Sequence, residues 1–93
     1  MIHVIIVYDV VSNKHRNRVA KLLERHLNRV QKSVFEGEIP VDRLYKIQER
    51  IPLLIQNEKD TVRIYRLCRR CVRMPVLLGV STWTPLPEED EVL

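Results

Sequence analysis

Ile2-His3-Val4-Ile5-Ile6-Val7-Tyr8, followed at once by Asp9, is the stretch that decides how this chain folds. Side chains alternate along a strand, so Ile2, Val4, Ile6 and Tyr8 fall on one face and His3, Ile5 and Val7 on the other. Both faces are largely apolar, the pattern of a central strand covered on both sides. Asp9 stands where the strand ends. The run is far short of the roughly 20 apolar residues that span a bilayer. It also lacks the basic flank and small-residue cleavage site of a secretory signal. The expectation is a cytoplasmic protein without a membrane partner. The sequence has 93 residues, 45% hydrophobic and 30% charged, which fits one globular domain and argues against a disordered chain. A folded chain of this size buries only about 60–65% of the surface its unfolded form exposes, so a lone copy is marginal.

Working outward, Ser12 and Asn13 are N-cap residues for a helix over 14–26, with Val19, Ala20, Leu22, Leu23 and Leu27 gathered on one face. Lys14, Arg18, Lys21 and Arg25 recur at i, i+4, i+7 and i+11 and form a basic stripe on the opposite face. Arg16 projects on the apolar side in the first turn, back toward Asp9. Residues 29–39 are β-rich, with Val30, Val34 and Phe35, and read either as a short hairpin or as one kinked strand; Gly37 marks a turn or bulge. Pro40 suits the first turn of a second helix, with Leu44, Ile47, Ile51 and Leu54 inward and Pro52 ending or kinking it. A polar loop over 56–60 leads to a strand over 61–68, and 76–80 reads as a further strand. The tail over 84–93 is acidic.

This order predicts an α+β sandwich of the ferredoxin-like βαββαβ kind, with the domain over 1–83 and an extra C-terminal strand. Two helices cover one face of such a sheet, yet the first strand and the strand over 61–68 carry apolar residues on both. A second copy, packed sheet to sheet through a two-fold axis, is the simplest cover. The rival is a hydrophobic exposed sheet, an aggregation liability.

The sixteen Lys and Arg exceed the twelve Asp and Glu by four. Four of the acids (Glu88, Glu89, Asp90, Glu91) sit in the tail, and without them the body carries a net +8. Eleven of the bases are Arg, suited to bidentate phosphate contacts. A basic body points to a polyanion, most simply nucleic acid. The two cysteines, Cys68 and Cys71, supply half the ligands of a structural zinc and lack the βαβ context of a thioredoxin-like pair; with Met74-Pro75 following and no helix, they read as reduced thiols near a strand end.

Three segments then act together. Tyr8-Asp9 closes the first strand, Arg16-Asn17-Arg18-Val19 opens the helix, and Arg29-Val30-Gln31-Lys32-Ser33-Val34-Phe35-Glu36-Gly37 follows. With Asp60-Thr61-Val62-Arg63-Ile64-Tyr65 they resemble the second core family of CRISPR-associated proteins (Cas two) over nearly the whole chain. The resemblance implies a ferredoxin-like homodimer with its sheets face to face, and a segment at 76–80 that pairs with the partner chain. It implies spacer acquisition in complex with the Cas one integrase, and metal-dependent endonuclease activity on single-stranded RNA or double-stranded DNA. The family's functional residues fall on Tyr8, Asp9, Arg16, Arg18, Arg29, Ser33 and Phe35, with Asp9 at the metal-binding aspartate. Many members carry acidic residues just after it, where Val10, Val11, Ser12 and Asn13 stand here; His15 replaces a common Arg.

The chemistry is consistent with that assignment. Phosphodiester hydrolysis needs a metal to polarise a phosphoryl oxygen and to lower the pKa of an attacking water. Mg²⁺ keeps several waters and takes one or two carboxylates, which an Asp9 from each of two subunits supplies. Arg16, Arg18 and Arg29 neutralise charge on the phosphate, or Arg16 pairs with Asp9 and holds the loop. Phe35 stacks on a base or belongs to the core. Ser33 bonds a phosphate or ends a strand. The stripe Lys14, Arg18, Lys21, Arg25 is a solvated face or a sequence-independent contact to a DNA duplex. Two other readings stand beside the nuclease: a non-catalytic adaptor bridging the integrase and seating duplex DNA, and a toxin-type RNA-cleaving dimer.

Overall fold

β1 (Ile2–Asp9) is the interior strand that its two apolar faces predict. In the computed structural model, which describes residues 1–74 together with 76, 78 and 79, it lies between β3 (Val34–Ile39) and β4 (Thr61–Leu67), antiparallel to both. β2 (Asn28–Gln31) pairs with the far side of β3, so the sheet runs β2-β3-β1-β4. Helices α1 (Asn13–Glu24) and α2 (Val41–Arg50) connect β1 to β2 and β3 to β4. The result is the ferredoxin-like α+β sandwich. Among the described residues no helix is long and apolar enough to cross a membrane.

Ser12 caps α1, its Oγ accepting from the His15 N–H at 3.4 Å, and Val19, Ala20 and Leu23 are the buried stripe. Pro40 is the N-cap of α2, fixed in the extended region that a helix entry needs. Leu44 and Ile47 are buried, and Pro52 sits in a single 3-10 turn (Ile51–Leu53) that ends the helix. The choice over 29–39 resolves as a hairpin: β2 and β3 turn about Lys32 and Ser33. The sheet irregularity lies between Arg29 and Gln31, not at Gly37. Gly37 instead pairs with Val4, and a Cβ there would lie 3.2 Å from Leu27 Cδ2 and 3.6 Å from Leu27 Cα. Its small size lets the chain leaving α1 pass close over β3.

Val4, Ile6 and Tyr8 of β1 join Phe35, Ile39, Leu23 and Leu44 in one core beneath the two helices. Ile5, Val7 and Asp9 lie on the opposite face, where the register sets them beside Tyr65, Arg63 and Thr61 of β4. No element of the chain covers that face among the described residues; Tyr65 is 48% exposed.

One further sequence reading changes, and two lie partly or wholly outside the described residues. A helix does accompany the cysteine pair: α3 (Arg69–Val72) is one turn, with Cys68 as its N-cap. The strand expected over 76–80 falls partly outside the described residues; Val76, Leu78 and Gly79 are exposed and belong to no strand of this chain. The acidic tail over 84–93 lies wholly outside them.

Candidate functional site

Asp9 is the last residue of β1, exposed, on the face without helices. Its carboxylate makes no hydrogen bond or ion pair among the described residues, and backbone pairing with Thr61 fixes where it stands. Beside it opens a shallow concavity of about 280 Å³ lined by Val7, Tyr8, Asp9, Thr61, Arg63 and Tyr65. Arg63 Nη1 donates to the Tyr65 hydroxyl at 3.4 Å. The sequence pattern included Arg63 and Tyr65 in a matching block but did not assign them to the site. The signal was there: 61, 63 and 65 share a strand face, and β4 pairs with β1. A larger concavity of about 420 Å³ lies at the end of α2, lined mostly by apolar residues such as Ile51, Pro52, Ile55, Val62 and Ile64. It does not contain Asp9.

Tyr8 points the other way. It is 3% exposed, and its hydroxyl donates to the Lys32 carbonyl at 3.4 Å. Burial pushes its phenol up, with the Arg29 guanidinium pulling the opposite way. Tyr8 is therefore a neutral donor tying β1 to the hairpin turn, and its backbone N–H is bound by the Ser33 carbonyl at 3.1 Å. Ser33 thus sits in the hairpin turn against the end of β1, between β2 and β3. Arg29 donates through Nε and Nη2 to the Lys32 carbonyl at 3.2 and 2.8 Å, reaches Glu24 Oε2 at 3.4 Å, and lies 5.4 Å from the centre of the Phe35 ring. Phe35 corrects one expectation. It is fully buried and stacked 6.2 Å from Tyr8, so it is core and not a platform for a base.

Arg16 holds the loop, but not through Asp9. Its Nη1 donates to the Val10 carbonyl at 2.8 Å and to the Val11 carbonyl at 3.4 Å. The same loop is gripped from the other side by Asp60, the one charged side chain buried among the described residues. Asp60 Oδ1 accepts from the Val11 N–H at 2.9 Å and Oδ2 from the Gln56 N–H at 2.8 Å. These two bonds hold its carboxyl below the ordinary range, burial opposing them. Val10 itself is buried in the core, a packing reason for an apolar residue directly after Asp9. Lys14, Arg18 and Lys21 along α1 and Arg25 at its C-cap are all exposed, so Arg18 belongs to the stripe.

No three His, Cys, Asp or Glu side chains converge among the described residues. The exposed, uncommitted Asp9 carboxylate is a hard oxygen donor of the type Mg²⁺ takes, and it suits an ion that keeps most of its waters. It does not by itself form a complete protein ligand set.

Comparison with known proteins supplies the family. The family model described as CRISPR associated protein Cas2 matches residues 1–74. A protein of Thermococcus kodakarensis named CRISPR-associated endoribonuclease Cas2 is 46% identical over 65 residues, 70% of this chain and 75% of its own. The crystal structure of Streptococcus pyogenes Cas2 at pH 6.5 superposes with a TM-score of 0.76 at 32% identity, covering 83% of this chain and 99% of that one. A chain in a structure described as a partial Cas6-RT-Cas1–Cas2 complex aligns with a TM-score of 0.73 at 28% identity, over 96% of this chain and all of that one, 100%. The chain belongs to the Cas2 family of CRISPR-associated proteins.

Proposed function

We propose that the chain acts in CRISPR spacer acquisition as a homodimer that binds nucleic acid and cuts phosphodiesters with Mg²⁺. Asp9 carries this reading: an exposed carboxylate with no partner among the described residues, at the end of the interior strand, on the sheet face no helix covers. Two such faces packed about a two-fold axis bury Ile5 and Val7 and bring Asp9 toward Asp9 of the partner subunit. Mg²⁺, when bound there, polarises a phosphoryl oxygen and lowers the pKa of an attacking water. The other residues prepare the place. Arg16 and Asp60 fix the loop after Asp9, Arg29 and Tyr8 fix the hairpin turn, and Arg63 puts positive charge in the concavity beside the carboxylate. The substrate is single-stranded RNA or double-stranded DNA; the name of the Thermococcus relative, an endoribonuclease, supports RNA.

The test is cleavage of both substrates with and without Mg²⁺ by wild-type protein and by Asp9→Ala, each sized in solution. Asp9→Ala lowers the rate by about 10²-fold or more, the scale on which removal of a charge-stabilising group acts, and leaves the dimer intact. Equal cleavage by the two proteins defeats the reading.

A second reading rests on the exposed stripe Lys14, Arg18, Lys21 and Arg25. Here the dimer is an adaptor that bridges the Cas1 integrase and seats a duplex on its basic faces, a reading supported by the likeness to a chain of a Cas1–Cas2 assembly. Changing Lys14, Lys21 and Arg25 together to Glu then weakens duplex binding. It also makes the salt slope shallower by roughly 0.9 for each phosphate that the altered side chains cease to neutralise. Spacer acquisition falls with it, while Asp9→Ala acquires normally. Normal acquisition by the charge-reversed protein rejects the stripe.

A further inference from the structure

We infer that Cys68 and Cys71 form a reversible dithiol–disulfide site whose oxidant is a low-molecular-weight disulfide such as oxidised glutathione. Both thiols are free and exposed, and their Sγ atoms lie 3.4 Å apart. A disulfide bond is about 2.05 Å long, so closure asks for side-chain rotation over little more than an ångström. The backbone already holds the pair together: the Val72 N–H donates to the Cys68 carbonyl at 3.1 Å, closing the single turn of α3. Neither sulfur packs in the core, and neither joins a cluster of three metal-ligating side chains among the described residues.

The two thiols are unequal. Cys68 Sγ accepts from the Cys71 N–H at 3.5 Å and faces the Cys71 thiol. Those contacts pull the Cys68 thiol down and push its neighbour up. Arg69, Arg70 and Arg73 follow in the sequence and add positive charge, which favours a thiolate. Cys68 is therefore the attacking sulfur. Its thiolate displaces one thiolate from the small disulfide and forms a mixed disulfide; Cys71 gives up its proton to solvent and attacks Cys68 Sγ, displacing the second. Two protein thiols become one disulfide, and the small disulfide becomes two thiols. Excess reduced thiol runs the exchange backward. The cross-link spans α3, beyond which Met74, Val76 and Leu78 stand exposed, so oxidation fixes the turn from which that apolar segment leaves the domain.

The full-length protein, equilibrated in glutathione buffers of graded redox ratio, acid-quenched and alkylated, reports this by intact mass. The expected product is a single chain two hydrogens lighter, refractory to alkylation and fully restored by dithiothreitol. Cys71→Ser stops at one glutathione adduct on Cys68, and Cys68→Ser forms its adduct on Cys71 more slowly, because only the Cys68 Sγ accepts a backbone N–H that steadies its thiolate. Two alkylatable thiols persisting in excess oxidised glutathione overturn the site. So do chain-to-chain cross-links, or stoichiometric zinc that shields both sulfurs. Equal rates for the two Ser variants overturn the assignment of Cys68 as nucleophile.

Discussion

β1 has two faces with different fates. Beneath the helices, Val4, Ile6 and Tyr8 are buried against Phe35, Leu23 and Leu44, all within one chain. On the other face, Ile5 and Val7 are half-buried beside Arg63 and Tyr65, and Asp9 is exposed at the end. The strand is largely apolar on both sides, so burial here follows from what each face is offered and not from residue type. The covered face maintains the fold, and the uncovered face is left for association and chemistry.

Substitution separates the two roles. Phe35→Ala on the covered face removes a fully buried ring that touches both Tyr8 and Arg29. The expected cost is about 3–5 kcal/mol, a large share of the total stability of a domain this small. A urea titration followed by circular dichroism should show a protein largely unfolded at low denaturant. A well-folded Phe35→Ala protein with an unchanged midpoint would erase the distinction between the faces. Ile5→Glu on the uncovered face acts on a different equilibrium. It places a charge where a second sheet would pack, so sedimentation should show self-association weakened by at least about tenfold, the scale of one unpaired charge in an interface, while single-chain circular dichroism is retained. Loss of secondary structure together with association would mean that the uncovered face also holds the monomer.

The same contrast explains what the sequence made legible. Alternation along 2–8 and the 3.6-residue stripe of Val19 and Leu23 are local signals, and the sheet, both main helices and the uncovered face follow from them. The hairpin was ambiguous because its turn, Lys32-Ser33, carries no Gly or Asn to announce it. Gly37 looked like a bulge because its actual constraint, the approach of Leu27, comes from packing across the sheet. α3 is a single turn of four residues, too short for any periodicity to register. In the site, alternation alone sends Asp9 and Tyr8 to opposite faces, but nothing local decided whether Phe35 was core or platform. Arg16 lay within reach of both Asp9 and the loop carbonyls, and only three-dimensional geometry separates those partners. Asp60 stood only as part of a longer matching block, and its role as a clamp was not legible because its key partner, the Val11 N–H, is 49 residues away in sequence.

Asp60 also provides the smallest and most specific probe, since it joins the two regions by clamping the loop that leaves β1. Its carboxylate accepts from two backbone N–H groups, and its folded-state pKa is lowered chiefly by those bonds. The unfolded chain therefore binds the proton more readily than the folded one. Stability from this group is fully present above the unfolded pKa and drains away as pH falls through the lower folded value. Asp60→Asn keeps the shape but offers one acceptor oxygen and an NH₂, so one of the two N–H donors is left without a partner and the titration disappears. Urea midpoints for the two proteins, measured at stepped pH below about 5, should differ most at the upper end and converge toward the acid end as wild-type Asp60 takes up its proton. Because other carboxylates titrate alike in both proteins, the shrinking gap belongs to residue 60. A gap that stays constant with pH would show that Asp60 contributes by shape alone, and that the loop beyond Asp9 is held by Arg16 without electrostatic help.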